Sequence, residues 1–428
     1  MKIVSSNDSS FKEKLSQIVK NNQKIDKKLD DDVSSIIESV KNEGDDFIIK
    51  ICNKFDGSDF KNANDLLVSK KEIDNATKDI DQEVFAALKL AYQRIKSYHE
   101  RQLPQDFEYK DKIGVKLGNR WQAIESVCVY APGGTAIYPS SVLMSAIPAI
   151  VAGVQNIIAT IPSKNGKIDN SVLAACKICG IEKIYKIGGA AAIAAFAHGT
   201  KTINKVNKIV GPGNSYVAVA KKQLFGQVGI DMIAGPTDIL VISDNKTKAN
   251  WVAADLLSQL EHGIDSRAVL VTDNKDFANE VLNQIFELEK TLPRKDIIRK
   301  SLENSYAIIV DDLEKEAAEI SNQIAPEHLE IMVDEPEIIA KKITNAGAIF
   351  LGRYTPEAIG DYIAGPSHTL PTMSSAKFSS GLSVFDFLKR ISIISCDQKS
   401  FKVLQKQTSI LAQTEGFDAH KLSVDIRE

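Results

Sequence analysis

The chain has 428 residues, with 53 basic and 56 acidic side chains and a formal charge of −3. That length is about two to three times that of a usual single domain, so more than one hydrophobic core is expected. The near-balance of charge argues against a nucleic-acid binder, which carries a basic excess or stripe, and no apolar run reaches the ~18 residues that span a bilayer.

The N-terminus, Met1 to Asp8, turns polar and acidic at once and lacks the apolar core of a signal peptide, so a cytoplasmic location is expected. The first hundred residues read as charged amphipathic helices. Val33, Ile36, Ile37 and Val40 recur at helical spacing, and so do Val84, Phe85, Leu88, Ala91, Ile95 and Tyr98. His99 falls on the charged side of that pattern and reads as solvated. From about residue 120, short β-branched runs such as Ile157–Ile161 alternate with helical stretches of roughly 10–15 residues, the pattern of βαβ units around a mainly parallel sheet. One block covers about 130–236, punctuated by Pro132-Gly133-Gly134, Gly188-Gly189 and Gly211-Pro212-Gly213-Asn214. A second runs from Asp238–Ile242 through Ala268–Val271 and Ala307–Val310 to Ala348–Leu351. Two such blocks suit a duplicated α/β architecture, although no clear sequence repeat is visible. A small, mostly helical tail follows from about 383. No low-complexity linker intervenes, so the parts should pack closely.

The cysteines, Cys52, Cys128, Cys176, Cys179 and Cys396, are an odd and sparse set, not a disulfide framework. Cys176 and Cys179 have C-x-x-C spacing but no second such pair, and a buried helical pair is the expected reading.

Glycine turns after strands bind ligands because bare backbone N–H groups face the carboxyl edge of the sheet. Val210-Gly211-Pro212-Gly213-Asn214-Ser215 leads into a helix, and Pro132-Gly133-Gly134-Thr135 follows the strand Ser126–Tyr130. Neither is the G-x-G-x-x-G fingerprint, so plain tight turns remain the alternative to a phosphate site. His198, before Gly199, reads as a helix C-terminal residue. The other histidines stand among polar groups. On a helix ending at Gly263, Gln259 and His262 are three apart and share a face, whereas Glu261 and His262 diverge. Ala325-Pro326-Glu327-His328 sets a carboxylate beside an imidazole, which suits either two proton-transfer groups or helix capping. Gly360-Asp361-Tyr362-Ile363-Ala364-Gly365-Pro366-Ser367-His368 and Glu415-Gly416-Phe417-Asp418-Ala419-His420 are further polar, glycine-broken segments. A Gln, an Asp and two His form a mixed N/O donor set that Zn²⁺ accepts, but spacing alone does not bring them together.

The segments Val210–Asn214, Asp231–Thr237, Leu256–Gly263, Ala325–Leu329 and Gly365–Thr372, in that order, resemble histidinol dehydrogenase. The resemblance runs from about residue 25 to the C-terminus. It implies NAD-dependent oxidation of L-histidinol to L-histidine through a bound aldehyde, by a zinc-dependent homodimer of two incomplete Rossmann-like domains with small helical extensions. The implied organisation is an N-terminal helical arm over 1–25 and a larger domain from 26–129 and 237–382 carrying most of the zinc and substrate site. An NAD-binding domain over 130–236 and a helical tail over 383–428 complete it. Carried over residue by residue, the resemblance implies zinc on Gln259, His262, Asp361 and His420, with His368 outside that set. It makes Glu327 and His328 the proton acceptors. Substrate contacts would come from Thr237, Gln259, His262, His328, Asp361, Glu415 and His420, and NAD contacts from Tyr130 and Asn214. The tail is expected to reach the partner's site.

These roles suit the chemistry. Imidazole titrates near neutrality, so His328 fits the first base, and Glu327 fits activation of water if burial raises its pKa from ~4.3. Zinc would chiefly orient the substrate. The sequence departs from the family pattern at Ala191, where Gln usually touches NAD; a lost hydrogen bond of ~0.5–1.5 kcal/mol predicts weaker cofactor binding at that contact. Ser367 replaces a frequent Asn and reads as tolerated. A dehydrogenase for another amino alcohol, a metal-binding scaffold without chemistry and a zinc hydrolase are the competing readings.

Overall fold

The computed structural model describes residues 1–20, 27–133 and 136–427. Its strands are β1 (Lys2–Ser5), β2 (Phe107–Lys110), β3 (Lys116–Ala123), β4 (Ser126–Tyr130), β5 (Asn156–Thr160), β6 (Lys183–Tyr185) and β7 (Lys208–Val210). They continue with β8 (Gly229–Ile230), β9 (Asp238–Ser243), β10 (Arg267–Thr272), β11 (Tyr306–Ile309), β12 (His328–Met332), β13 (Ala348–Leu351) and β14 (Leu388–Ser395).

Residues of β9, β10 and β12 are buried throughout. Near-continuous apolar strands of this kind belong in a parallel sheet covered on both faces. They lie in a six-stranded sheet of order β1-β11-β10-β9-β12-β13, every pair parallel. A five-stranded parallel sheet has the order β6-β5-β4-β7-β8. Without β1, both sheets run 3-2-1-4-5 in their own chain order, so the doubly wound unit is present twice, with no sequence repeat to announce it. The strand order reverses between β9 and β12 in one sheet and between β4 and β7 in the other. Helices Ala249–Leu260 and Lys275–Glu289 cover one face of the larger sheet, and Phe11–Lys20 and Leu313–Ile324 the other.

Three boundaries differ from the sequence reading. Within the expected helical arm, Lys2–Ser5 is a strand that pairs with β11, followed by the helix Phe11–Lys20, while 21–25 lie outside the described residues. Much of 26–129 packs on the smaller sheet, not the larger one. Val33, Ile37, Val40 and Ile48 share a core with Tyr130 and Ile193, and Leu88 and Ile95 share one with Val127 and Val142. The tail from 383 opens with β14, antiparallel to β3 over its whole length, before two helices, Gln398–Thr414 and Asp418–Asp425. His99 is also corrected: it is fully buried, and its Nδ1–H donates to the Ile95 carbonyl at 2.8 Å. Cys176 and Cys179 are buried free thiols, as read from their helical setting.

Candidate active site

Thr237-Asp238 and Glu327-His328 stand at the amino ends of adjacent strands β9 and β12, at the reversal point of the larger sheet. Ala325 ends the helix Leu313–Ile324 in the left-handed region (φ 51°) and turns the chain into β12. Such a conformation is costly for a residue with a Cβ and is held by its surroundings. The two strand ends then clamp each other. Asp238 Oδ1 accepts from the Glu327 N–H at 2.7 Å, and Glu327 Oε2 accepts from the Asp238 N–H at 3.3 Å. Arg267, 3% exposed, pairs with Asp238 and donates through NH1 to the Ile18 carbonyl at 2.5 Å. The backbone at Asp238 and Glu327 is thereby fixed from the N-terminal helix inward.

Gln259 reaches the same point from the helix Ala249–Leu260. Thr237 Oγ1 lies 2.7 Å from Gln259 Oε1 and 2.5 Å from Glu327 Oε2. A hydroxyl has one proton and serves one of these acceptors. If the Gln259 amide turns over, its N–H₂ donates to Thr237, Thr237 donates to Glu327, and an amide oxygen replaces the buried, unpartnered Nε2. Burial pushes Glu327 up to about 7, against the opposing pull of His328 and the Thr237 hydroxyl.

His328 donates through Nδ1 to the Asp238 carbonyl at 3.2 Å, which aims Nε2 at Asp361 Oδ1 (3.5 Å) and Glu357 Oε1 (3.7 Å). Burial disfavours its charge, but Glu327, Asp361 and Glu357 outweigh it and raise the imidazole to about 10. Asp361, although burial opposes its charge, is held below the usual carboxylate range by His328 and His368, while burial and Asp361 push Glu357 up. Glu357 and Asp361 are four apart on the short helix Glu357–Tyr362 and so share one face. Glu330, two residues beyond His328 on the same face of β12, accepts the Glu357 N–H at 2.6 Å, and Glu357 accepts from Ser258 Oγ at 3.0 Å. His328, Glu357 and Asp361 place donor atoms within 4.8 Å of one another, a grouping able to hold a cation.

The remaining expected residues are spread out. His262, exposed at the end of the Gln259 helix, gives its Nδ1–H to the Ser258 carbonyl at 3.0 Å, which leaves Nε2 available. Glu415 and His420 are exposed on the C-terminal helical pair, with the His420 ring against Phe417. Within one chain they do not join the cluster. Tyr130 ends β4, and its hydroxyl accepts the Gly189 N–H at 3.1 Å, while Asn214 caps the helix Ser215–Leu224. These two mark the carboxyl edge of the smaller sheet, also at its reversal point. Gly134 and Thr135 of the other glycine turn lie outside the described residues. His368 joins the halves: its Nδ1–H donates to the Asp361 carbonyl at 3.0 Å, and Nε2 lies 3.4 Å from Ser141 Oγ on the helix Pro139–Ala152.

Sequence reasoning missed Asp238, Arg267, Glu330 and Glu357. Glu330 and Glu357 carried a legible signal: one is a carboxylate in an apolar strand at i+2 from His328, the other stands at i−4 from Asp361. Asp238 and Arg267 carried none, since each looks like an ordinary strand-end charge.

The family model for histidinol dehydrogenase matches residues 19–428. A histidinol dehydrogenase of Agrobacterium fabrum is 48% identical over 417 residues, covering 97% of this chain and 96% of that protein. Histidinol dehydrogenase 1 of Trichormus variabilis is 44% identical over 427 residues, covering 100% and 98% respectively. The crystal structure of histidinol dehydrogenase from Elizabethkingia anophelis superposes with a TM-score of 0.94 at 35% identity, covering 100% of this chain and 98% of that one. The order of the sheets, the paired acid and imidazole and these matches over nearly the whole length have one explanation: the chain belongs to the histidinol dehydrogenase family of oxidoreductases.

Proposed function

We propose that this chain oxidises L-histidinol to L-histidine through bound L-histidinaldehyde, using NAD and zinc, as a cytoplasmic homodimer with shared centres. The carrying observation is the convergence of Thr237, Gln259, Glu327, His328 and Asp361 from separate segments onto one point at the amino edge of the larger sheet.

The donors present fit zinc. Nε2 of His328, Oε1 of Glu357 and Nε2 of Gln259 are buried without hydrogen bonds, and turning the Gln259 amide puts an oxygen donor there. Gln259, His262, Asp361 and, from a second chain, His420 would hold the metal. Hydrogen bonding of the other His262 ring nitrogen orients a ligand in the usual way. When bound, zinc anchors the substrate's amino and imidazole nitrogens, and NAD supplies the electron acceptor for both oxidation steps.

The chain's own residues move the protons. His328 takes the hydroxyl proton through Nε2 as the first hydride leaves the carbinol carbon, because its Nδ1–H is committed to the Asp238 carbonyl. It must be neutral to do so, and Asp361, if it held a divalent cation, would no longer add its full carboxylate field to those that retain the proton. Glu327, with a pKa near neutrality, takes a proton from water as the water oxygen adds to the aldehyde carbon. Loss of the second hydride from the hydrate monoanion gives the carboxylic acid, which releases its remaining proton to solvent as the carboxylate forms. Thr237 keeps Glu327 aimed by its hydrogen bond.

Tyr130 and Asn214 would receive NAD at the carboxyl edge of the smaller sheet. The C-terminal helices expose Ile410 (53%), Leu411 (64%), Leu422 (62%) and Ile426 (68%). An apolar face of this kind is suited to cover by a second chain, which would deliver Glu415 and His420 to the partner's site.

The test is NADH formation from L-histidinol on protein as purified, after chelation and after zinc is restored. Activity lost with the chelator and regained with zinc, at two NADH per histidine, supports the reading. Glu327→Gln should retain zinc and form no acid. Folded protein that makes no NADH with any metal refutes the assignment.

A further inference from the structure

Where β8 ends, the chain leaves the smaller sheet, and Met232–Pro236 carry it to Thr237 beside the base Glu327. Asp231 stands at this exit, its side chain 1% exposed, facing Lys221 of the helix Ser215–Leu224, whose side chain is 3% exposed. Lys221 Nζ donates to Asp231 Oδ1 at 2.7 Å and to the Gly211 carbonyl at 2.5 Å. The Gly211 N–H donates to Asp231 Oδ2 at 2.6 Å, and the Met232 N–H to Oδ1 at 2.7 Å. One residue of the glycine turn therefore has its N–H on the acid and its carbonyl on the base of a single ion pair. That residue has no room to move: its φ is +108°, and an added Cβ would lie 2.0 Å from the Tyr130 carbonyl oxygen.

A buried ion pair is a poor device for stability alone, because desolvation offsets most of its attraction. Here it holds the turn between Tyr130 and Asn214 and joins that turn to the segment ending at Thr237. We propose that Lys221 and Asp231 are positioning residues for the cofactor, which set the Asn214 turn against Tyr130 and fix its distance from the proton-accepting side of the site. The proposal rests on Tyr130 and Asn214 being the NAD contacts.

The discriminating variant is Lys221→Met combined with Asp231→Asn. It nearly keeps volume, leaves no unpaired charge and retains one acceptor, for the Gly211 N–H, but it turns an amide N–H₂ toward the Met232 N–H and removes the donor from the Gly211 carbonyl. NAD and L-histidinol dissociation constants, zinc content and both KM values are measured on one preparation. The expected result is a rise of about tenfold or more in the Kd and KM for NAD, with zinc content unchanged and histidinol affinity within about twofold. A folded variant that binds NAD as wild type does, or one that loses both ligands equally, overturns the proposal. If the double variant does not fold, Asp231→Glu, which keeps the charge and lengthens its reach, is judged by the same criterion. Wild-type enzyme that binds zinc and histidinol but no NAD overturns the cofactor reading itself, a result distinct from failure of the variants.

Discussion

Replacing Asp238 tests how Glu327, the proposed base, is held in place. Its carboxylate accepts the Glu327 N–H at 2.7 Å and pairs with Arg267, and the side chains of the pair are 3% and 4% exposed. Asp238→Ala strands a guanidinium whose Nε already lacks a partner. Removing one partner of a buried pair costs about 3–5 kcal/mol, and the orphaned Glu327 N–H about 1–3 more. The two losses share one relaxation and do not add fully. The expected total is about 4–6 kcal/mol, a large part of the ~5–15 kcal/mol that a folded protein has. Asp238→Asn loses the charge but keeps an acceptor for Glu327, so it should lose stability with kcat nearly intact, whereas Asp238→Ala loses both. Urea unfolding followed by the fluorescence of Trp121 and Trp251, beside steady-state kinetics at saturating substrates, separates the two effects. Loss of less than about 1.5 kcal/mol in Asp238→Ala would show that the pair contributes little more than a surface bridge. Equal kcat in the two variants would show that the Glu327 N–H bond does not position the base.

Gly347→Ala should lower kcat at least about tenfold with a smaller effect on KM, because a Cβ there would lie 2.5 Å from the Glu327 carbonyl oxygen and displace the base from behind; an unchanged kcat would mean that β13 yields instead. In the proposed homodimer, the inactive variants Glu327→Gln and His420→Asn should regain about a quarter of wild-type activity when dissociated and reassociated together, since half the dimers are then mixed and each holds one intact site. No recovery would place His420 in its own chain's site. Glu330→Gln should become more stabilising as pH rises. Burial raises Asp255 from 3.8 to about 6, with Glu330 as its hydrogen-bonding neighbour, and burial and Asp255 hold Glu330 well above its usual range. Folded pKa values above the unfolded ones mean that this contribution to stability is present below about pH 4 and lost as pH rises through about 6. The variant's advantage in urea unfolding should therefore be near zero at pH 4 and about 1–2 kcal/mol at pH 8, after discounting for partial exposure. A flat difference would show that the two carboxyls do not share a proton.

The parts of the site that adjoin in sequence were legible. Glu327 and His328 are neighbours, so local spacing exposed them, but the helix expected to run to Gly263 stops at Leu260, which leaves Gln259 buried within it and His262 exposed just beyond its end, not on one shared face. Asp238 and Arg267 are 29 residues apart and meet only because β9 and β10 pair. Lys221 in a helix and Asp231 after a short strand each look like surface charge, and their burial is a product of tertiary packing. His99 misled for the same reason: a helix with charges on most faces still has one face against the core. The four residues of β1 are too few to show a period, and their partner β11 lies about three hundred residues away. β14, Leu-Lys-Arg-Ile-Ser-Ile-Ile-Ser, breaks strict alternation at Lys389-Arg390 and again at Ile393-Ile394, and most of it is exposed, so no strand period showed. The grouping of 26–129 failed because charged amphipathic helices do not state in sequence which sheet they cover.

The two sheets share a strand order, yet the proposed function uses opposite edges of them, and electrostatics supplies a reason. At the carboxyl edge of the smaller sheet, helices Gly189–His198 and Ser215–Leu224 begin, so free backbone N–H groups and positive dipole ends face outward. That edge suits the pyrophosphate of a dinucleotide. At the amino edge of the larger sheet the preceding helix ends: Leu313–Ile324 delivers its negative end just before Glu327, and Asp361, Glu357 and Glu330 add carboxylates. Such a field favours a cation and raises the pKa of a neighbouring acid, which are the needs of a metal site with a near-neutral carboxyl base. The larger sheet's own carboxyl edge is lined by Asp244, Asp273, Asp311 and Asp334. Asp244 and Asp334 there are paired with Arg353 and Lys246, and Asp273, Asp311 and Glu335 add further negative charge that disfavours phosphate, so under the proposed function only the smaller sheet offers a dinucleotide edge and the larger one presents its opposite edge to the reaction.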